Sequence, residues 1–402
     1  MGSEDTRLVR GPLEGMLVLD FSQLIAGPTA AMIMADLGAR VIKVEPPNGD
    51  AARQLDPTED GAFLGLFDTL NRDKESIVLD LRNEQDHAVA LELVDRADVL
   101  VESARVGVLE RLGLGYQTVQ KRNPGLVYLS VTGYGERGPN ARRGGVDMAL
   151  QAETGWMDVT GEPDGSPTRV GATPLDSATG HVAAQGILAA LLMRQRTGRG
   201  DHVKVSLYDV GCHLHAQDFT QYLMTGHAVT RTGNFPAMST PAGVYETADG
   251  TLVLAAYLQH HWAIALEIFD DDELKADPRF VTVRSRREHA DVLIAKLKAI
   301  MKTRTTSQWS DAFESAGLTN AVVRNIRQVI DSDQFAAAEL LLDVGVGTER
   351  PVRTVRGPLR FDSIQRPEHV AAPRLDADRD RVIGDFAPAP NPLAQEAACP
   401  SR

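Results

Sequence analysis

The chain has only two cysteines in 402 residues, Cys212 and Cys399, too few for a disulfide framework or a cysteine-based metal site. That scarcity suits a reducing cytoplasm, the expected location. Basic residues are also short: 42 Lys and Arg face 55 Asp and Glu, and the net charge of −13 opposes non-specific binding to nucleic acid or anionic lipid. An anionic ligand must then meet a local basic site. No apolar run approaches the roughly 18 residues of a membrane span; the longest, Gly186 to Met193, reads as part of a buried helix. The opening MGSEDTRLVRGPLEG lacks the apolar stretch of a secretory signal. Several signatures are missing as well. The turn after the first strand reads Ile25-Ala-Gly-Pro-Thr-Ala30 and not G-x-G-x-x-G, which argues against NAD, and no P-loop, H-E-x-x-H, paired C-x-x-C or G-x-S-x-G occurs.

What is present is an ordinary soluble composition, 43% hydrophobic and 24% charged, in a chain long enough for two or three domains. Met16 to Asp20 reads as a buried strand, and Pro28 and Gly38 bracket an Ala/Met-rich helix before a second strand at Val41 to Glu45. The alternation continues with strands at Ser76 to Leu81, Val99 to Glu102 and Leu126 to Thr132, and helices at Glu84 to Arg96 and Leu109 to Arg122. A long helix over Asp176 to Arg194 and a strand at Val203 to Leu207 follow. This pattern predicts a doubly wound α/β sheet, with ligands outside the carboxyl ends of its strands. From about Thr225 the pattern breaks. We divide the chain into a large α/β domain (1–224), a linker (225–243), a small α+β domain (244–320), a return linker with the C-terminal part of the large domain (321–386), and a disordered tail (387–402). The small domain should hold a hairpin around Asp249-Gly250 and helices at His261 to Phe269, Arg287 to Met301 and Thr306 to Ala316, the last opened by a Thr305/Gln308 capping box.

Most reactive side chains have plain explanations. Cys212-His-Leu-His215 spaces two imidazoles poorly for a metal unless on a strand, His260-His261 reads as exposed or capping, and Asp270 to Glu273 lacks the Gly and distal Glu of a calcium loop. No metal site is expected. Asp176 reads first as a helix N-cap. Yet a carboxylate there, kept ionised and oriented by unpaired N–H groups and the helix dipole, also meets the needs of a nucleophile. Cations gather in strand-adjacent turns, at Asn71-Arg-Asp-Lys74, Arg105, Arg111, Arg137, Arg142 and Arg143, where they could grip the phosphates of a nucleotide-like ligand.

Nearly the whole chain resembles the class III coenzyme A transferases, the family of formyl-CoA and carnitine-CoA transferases and of α-methylacyl-CoA racemase. The likeness is carried by Val18-Leu-Asp-Phe21 with Ala26-Gly-Pro28, Leu37 to Glu45 with Gly49-Asp50, Asn71 to Ser76 and Leu112-Gly-Leu-Gly115. Gly133-Tyr-Gly135, Gly138-Pro139, Gln151 to Gly155 and Gly186 to Gly200 leading into Val203 to Asp209 complete it. The resemblance implies a large Rossmann-like parallel-sheet domain with a small α+β domain, in an interlocked homodimer. It places the nucleophile on Asp176 and the contacts to CoA on Ile25, Ala26, Leu70, Asn71, Arg72, Asp73, Ser103 to Arg105, Arg111 and Gly144 to Asp147, including Val146.

The implied activity is transfer of CoA from an acyl-CoA to an organic acid through intermediates on the aspartate, with CoA as substrate and no permanently bound cofactor. Its partners would be an acyl-CoA, a carboxylic acid and a second copy of the chain. Alternatives are an acyl-CoA racemase or isomerase and a non-catalytic CoA-binding paralogue. Against racemisation, Val146 stands where the racemase branch has a basic His; against oxalate, Ile25 replaces a Gln of the formyl-CoA branch. The glycine-run lid of that branch is missing, with Gly233-Asn-Phe-Pro-Ala-Met-Ser in its place, and the usual Asn-Phe-Arg-Pro-Gly is altered to Ser103-Ala-Arg-Val-Gly107. Tyr257, His260 and Trp262 are candidates to shape the acyl pocket.

Overall fold

The structure is a computed structural model, and it describes residues 11–55, 65–236, 240–346, 351–364 and 368–386. The chain forms two compact units. The first holds the residues up to Thr154, Gly171–Ala216 and those from Leu340 onward; the second holds Gly155–Val170 and Gln217–Glu339. The expected tail at 387–402 lies outside the described residues.

In chain order the elements begin β1 (Leu17–Asp20), α1 (Ala26–Asp36), β2 (Arg40–Glu45), α2 (Gly65–Asn71), β3 (Lys74–Val78) and α3 (Glu84–Arg96). They continue with β4 (Val99–Glu102), α4 (Val108–Arg111), α5 (Tyr116–Arg122), β5 (Val127–Thr132), α6 (Asp147–Glu153), α7 (Trp156–Val159), α8 (Pro174–Thr197), β6 (His202–Ser206) and α9 (Leu207–Leu214). The six strands form one sheet in the order β3-β2-β1-β4-β5-β6. Every pairing is parallel, with Val18 beside Val41 on one side and Val99 on the other. The strands read as near-continuous apolar runs because both faces are buried. One face packs with α3, α5 and the C-terminal residues Val382 and Phe386: Leu19, Ile42, Ile77 and Leu100 meet Leu93, Val94 and Val119. Elsewhere α8 closes on α1 where Gly180 leaves room, since a Cβ there would fall 2.5 Å from the Cβ of Thr29.

The edge strand β3 is covered by a distant segment. Asp376 and Asp378 accept the N–H groups of Val78 at 2.7 Å and Ser76 at 2.9 Å, and the Asp378 N–H donates to the Ser76 carbonyl at 3.0 Å. This blunts an edge that would otherwise offer a row of unpaired backbone groups.

The second unit contains α7, α10 (Ala216–Thr225) from Gln217, β7 (Gly243–Glu246), β8 (Thr251–Leu254), α11 (Gln259–Phe269), α12 (Asp272–Ala276), α13 (Val283–Glu288), α14 (Ala290–Met301) and α15 (Thr306–Ser315). It ends with β9 (Asn320–Val322), α16 (Ile326–Ile330) and α17 (Asp333–Ala337). Strands β7, β8 and β9 form an antiparallel sheet over a core of Trp262, Phe269, Leu293, Leu297, Trp309 and Phe313. The Thr305/Gln308 capping box is formed, and the Trp309 indole N–H, buried, donates to the Met301 carbonyl at 2.7 Å. Segment 155–170 belongs here because the Gly233 N–H donates to the Gly161 carbonyl and Arg231 holds Asp158.

Three expectations are corrected. Leu109 to Arg122 is two helices, because Gly113 takes a left-handed conformation (φ 73°) between them. The span expected as a linker begins on Thr225, the last residue of α10, a helix that the Gly- and His-rich stretch after it hides in the sequence. Trp262 lies in the core of the second unit, 1% exposed, and cannot line a pocket.

Candidate active site

Asp176 stands in the first turn of α8, the 24-residue helix Pro174–Thr197. It is not the N-cap: Thr173 occupies that position without a side-chain cap, and Pro174 begins the helix. The cap comes from elsewhere in the chain. The carboxylate of Asp147, at the start of α6, accepts through Oδ2 the N–H of Leu175 at 2.7 Å and that of Asp176 at 3.0 Å. Its Oδ1 accepts the amide of Gln151 one turn along the same helix. Asp147 is 5% exposed, so this brace is dry and rigid.

The brace reverses one expectation. The N–H groups supposed to keep Asp176 ionised are taken by Asp147, and no hydrogen bond reaches the Asp176 carboxylate among the described residues. Burial, and next the nearby charge of Asp147, push Asp176 up to about 7. Asp176 is therefore a half-buried carboxylate balanced between its two forms near neutral pH, as carboxylates with chemical work to do often are.

Glycines set the approach. A Cβ on Gly133 would lie 2.6 Å from the Cα of Gly145, so the Gly-Tyr-Gly loop and the run before Asp147 meet backbone to backbone. This contact fixes where Asp147 enters α6. Gly180 lies one turn beyond Asp176 on the same helix face, and a Cβ there would fall 2.8 Å from the Ala26 carbonyl. Asp176 is thereby brought toward the turn that follows β1.

That turn flanks the switch point between β1 and β4, where the strand order reverses and α/β sheets bind ligands. A buried network holds it. Lys74 donates to Asp20 at 2.7 Å, to Asn71 at 2.9 Å and to the Pro28 carbonyl at 3.1 Å. Lys43 donates to the Ser22 carbonyl at 2.9 Å and pairs with Asp50 at 2.8 Å. Burial would raise Asp20, but Lys43 and Lys74 hold it at about 2. Leu24, left-handed at φ 67°, is secured by its N–H to Asp50, and presents Ile25 and Ala26 at the start of α1. Across the crevice the Ser103 hydroxyl accepts the Gln23 N–H at 2.9 Å.

The remaining candidates separate into two groups. Arg105 and Arg111 are exposed, and Arg105 lies beside Gly144: its Nη2 would be 3.4 Å from a Cβ there. Val146, 57% exposed, lies in the same run. Leu70, Asn71 and Arg72 turn inward instead; Asn71 bonds the Phe67 carbonyl, and Arg72 is paired with Asp36 at 2.7 Å. The charge of Arg72 is spent inside the fold, leaving only backbone of this turn to face a ligand. Lys74 is likewise interior, Arg143 pairs with Glu153 at 2.8 Å, and Arg137 lines a polar pocket of about 300 Å³ with Ser130, Thr132 and Lys204.

Cys212 and His213 lie on α9 with His215 just past its end, a helical spacing that separates the two imidazoles. His261 accepts the Leu258 N–H at the start of α11, a capping role. Asp36, Asp73 and His369 place ligand atoms within 4.8 Å of one another, a grouping the sequence hides across more than 300 residues. The Arg72 guanidinium already neutralises Asp36 there, which disfavours a cation. The role of Asp147 as a brace was also missed. The Asp147/Gln151 spacing was its only local signal.

The profile of CoA-transferase family III matches residues 13–379. A probable fatty acyl-CoA transferase of Mycobacterium tuberculosis is 36% identical over 366 residues, covering 88% of this chain and 93% of its own. The acetyl-CoA:oxalate CoA-transferase of Acetobacter aceti is 37% identical over 380 residues, covering 94% and 96%. Among solved structures, a CAIB/BAIF family protein from Brucella suis superposes with a TM-score of 0.85 at 31% identity, covering 94% of this chain and 100% of its own. An orthorhombic crystal form of the M. tuberculosis protein superposes with a TM-score of 0.83 at 35% identity, covering 93% and 99%.

Proposed function

The chain belongs to CoA-transferase family III, and on that premise we propose that it moves CoA from an acyl-CoA to an organic acid with Asp176 as nucleophile. The observation that carries this reading is a half-buried carboxylate with no hydrogen-bond partner among the described residues, on a helix turn whose backbone is held by Asp147.

Ionised Asp176 attacks the thioester carbonyl carbon. The C–S bond breaks, CoA thiolate leaves with the electron pair, and an acyl-aspartyl anhydride remains. The thiolate then attacks the aspartyl carbonyl of the anhydride, expelling the donor acid as carboxylate and leaving an aspartyl-CoA thioester. The acceptor carboxylate attacks that thioester, releasing CoA thiolate and forming a second anhydride. Attack of the thiolate on the acceptor's acyl carbon yields the new acyl-CoA and free Asp176. Each anhydride needs shielding from water.

CoA would lie over the β1/β4 crevice, with Ile25 and Ala26 on one lip, Arg105 and Arg111 toward its phosphates, backbone of Leu70 to Arg72 alongside, and Val146 and Asp147 near the pantetheine. Val146 supplies no base, which favours transfer over racemisation. Relatives are named for oxalate, mesaconate and glutarate, and a small organic acid is the acceptor class we assign. The protein would work in the cytoplasm as an interlocked homodimer of large and small domains. No helix among the described residues is long and apolar enough to cross a membrane.

The test is chemical trapping. Wild-type protein incubated with a CoA ester and quenched with hydroxylamine should carry a hydroxamate at Asp176 by mass spectrometry. Asp176→Ala should bind CoA but not turn over, and full activity in that variant would overturn the assignment.

A further inference from the structure

Glu102 closes β4 and is 7% exposed, yet the reaction above does not use it. Its Oε2 accepts the N–H of Ala104, two residues on, at 2.8 Å, tying down the chain just beyond the end of the strand. Ser130 stands directly beside it on β5 and favours its ionised form. Ser130 Oγ lies 2.9 Å from Nε2 of His202 on β6. Three polar side chains therefore line up across three adjacent strands, the first of them holding a backbone amide. Burial, with smaller contributions from Glu110 and Glu136, pushes Glu102 up to about 7; burial, then Lys204, holds His202 below its ordinary value. Protonated or ionised, a carboxyl oxygen can still accept from Ala104.

The segment beyond Glu102 forms a lip of the β1/β4 crevice. Ser103 bonds the Gln23 N–H across it, and Arg105 reaches the side of Gly144. Both contacts depend on where the chain turns at Ala104. Left alone, a short loop of a serine, an alanine and an exposed arginine would sample many conformations, and a ligand would have to order it on binding.

We propose that Glu102 is a positioning residue for coenzyme A: by pinning Ala104 to the end of β4, with Ser130 and His202 alongside, it pre-forms the 103–105 segment that receives the ligand. This rests on the reading that CoA lies over the β1/β4 crevice. Glu102 does not touch the reacting atoms, so it should govern affinity and leave the chemical step alone.

Glu102→Asp keeps the acid but shortens its reach, while Glu102→Gln keeps the reach and an accepting oxygen. Binding of free CoA is measured by calorimetry, backbone hydrogen exchange is read over 103–107 without ligand, and single-turnover rates are taken at saturating acetyl-CoA. In Glu102→Asp we expect Kd for CoA about tenfold higher, the size of one lost hydrogen bond, faster exchange at Ala104, and a single-turnover rate within about twofold of wild type. Glu102→Gln should remain within about twofold in all three. Glu102→Asp binding like wild type, or Glu102→Gln as weak as Glu102→Asp with normal exchange at Ala104, would overturn the proposal, the latter because charge and not reach would then matter. Should Glu102→Asp fail to fold, Ser130→Ala removes the hydroxyl beside the same carboxyl and must raise both Kd and exchange; if it moves neither, the proposal falls. Absence of CoA binding by the wild-type protein would instead overturn the functional reading, and this inference with it.

Discussion

Asp147 holds the backbone of Asp176, accepting its N–H at 3.0 Å while its charge faces the very carboxylate it positions. One side chain thus gives the proposed nucleophile a fixed place and makes it harder to ionise. The two effects are separable by substitution, and the first predictions exploit that.

Asp176 must be ionised to attack, and its carboxyl is pushed up to about 7. The rate of thiol release in a single turnover should rise with pH through about 7 and then level. Asp147→Asn retains an accepting oxygen but loses the like charge, so its inflection should move to lower pH. Stopped-flow thiol detection between about pH 5.5 and 8.5 reads both profiles. An unmoved inflection in Asp147→Asn would remove Asp147 from the account.

The same shift governs stability. Asp176 binds its proton more tightly folded than unfolded, so its stabilising contribution is complete below the ordinary value of 3.8 and is lost as pH rises through about 7. Asp176→Asn escapes that loss. Urea denaturation should find it more stable than wild type at pH 8 by about 2 kcal/mol, less than the full linkage because the group keeps some solvent contact, and equal to it near pH 4.

Truncating the brace should cost more than activity. Asp147→Ala leaves the N–H groups of Leu175 and Asp176 and the amide of Gln151 without their acceptor. We expect a loss of about 1–3 kcal/mol in denaturant titration, together with a fall in kcat.

Gly133→Ala places a methyl 2.6 Å from backbone that has no flexible end to move aside. Thermal denaturation should show a loss of about 1–3 kcal/mol. Any activity that survives should fall in kcat, because the entry of Asp147 into α6 shifts.

Lys74→Met removes the closest cation from Asp20, leaving Lys43 at 3.7 Å. A buried carboxylate stripped of its main partner costs about 3–5 kcal/mol. A variant as stable as wild type in urea would show that the network beneath the first turn is dispensable.

Much of the first unit was legible because period and punctuation agree there. The helix Glu84–Arg96 has the expected bounds, with Asn83 as its N-cap, and Val41 to Glu45 lies within β2. The antiparallel hairpin around Asp249-Gly250 is likewise local, its ends set by the turn. Family likeness singles out Asp176 as the proposed nucleophile, and its surroundings were not legible. That Asp147 would cap α8 depends on two elements 28 residues apart meeting through the Gly133/Gly145 contact, and no local pattern encodes that. Arg72 shows the opposite failure. A cation in a turn suggests a ligand contact, but Asp36, on a different helix, claims it in the interior. The sign of the Asp176 shift was missed for a related reason. A helix N-terminus favours a charge only while its N–H groups are free, and another residue had taken them.

The fastening of β3 by Asp376 and Asp378 has a consequence for the birth of the molecule. The strand leaves the ribosome about 300 residues before the aspartates that finish it, so throughout most of synthesis the nascent sheet carries an open flank. A chain cut short before Asp376 would keep that flank exposed, able to recruit strands from its neighbours.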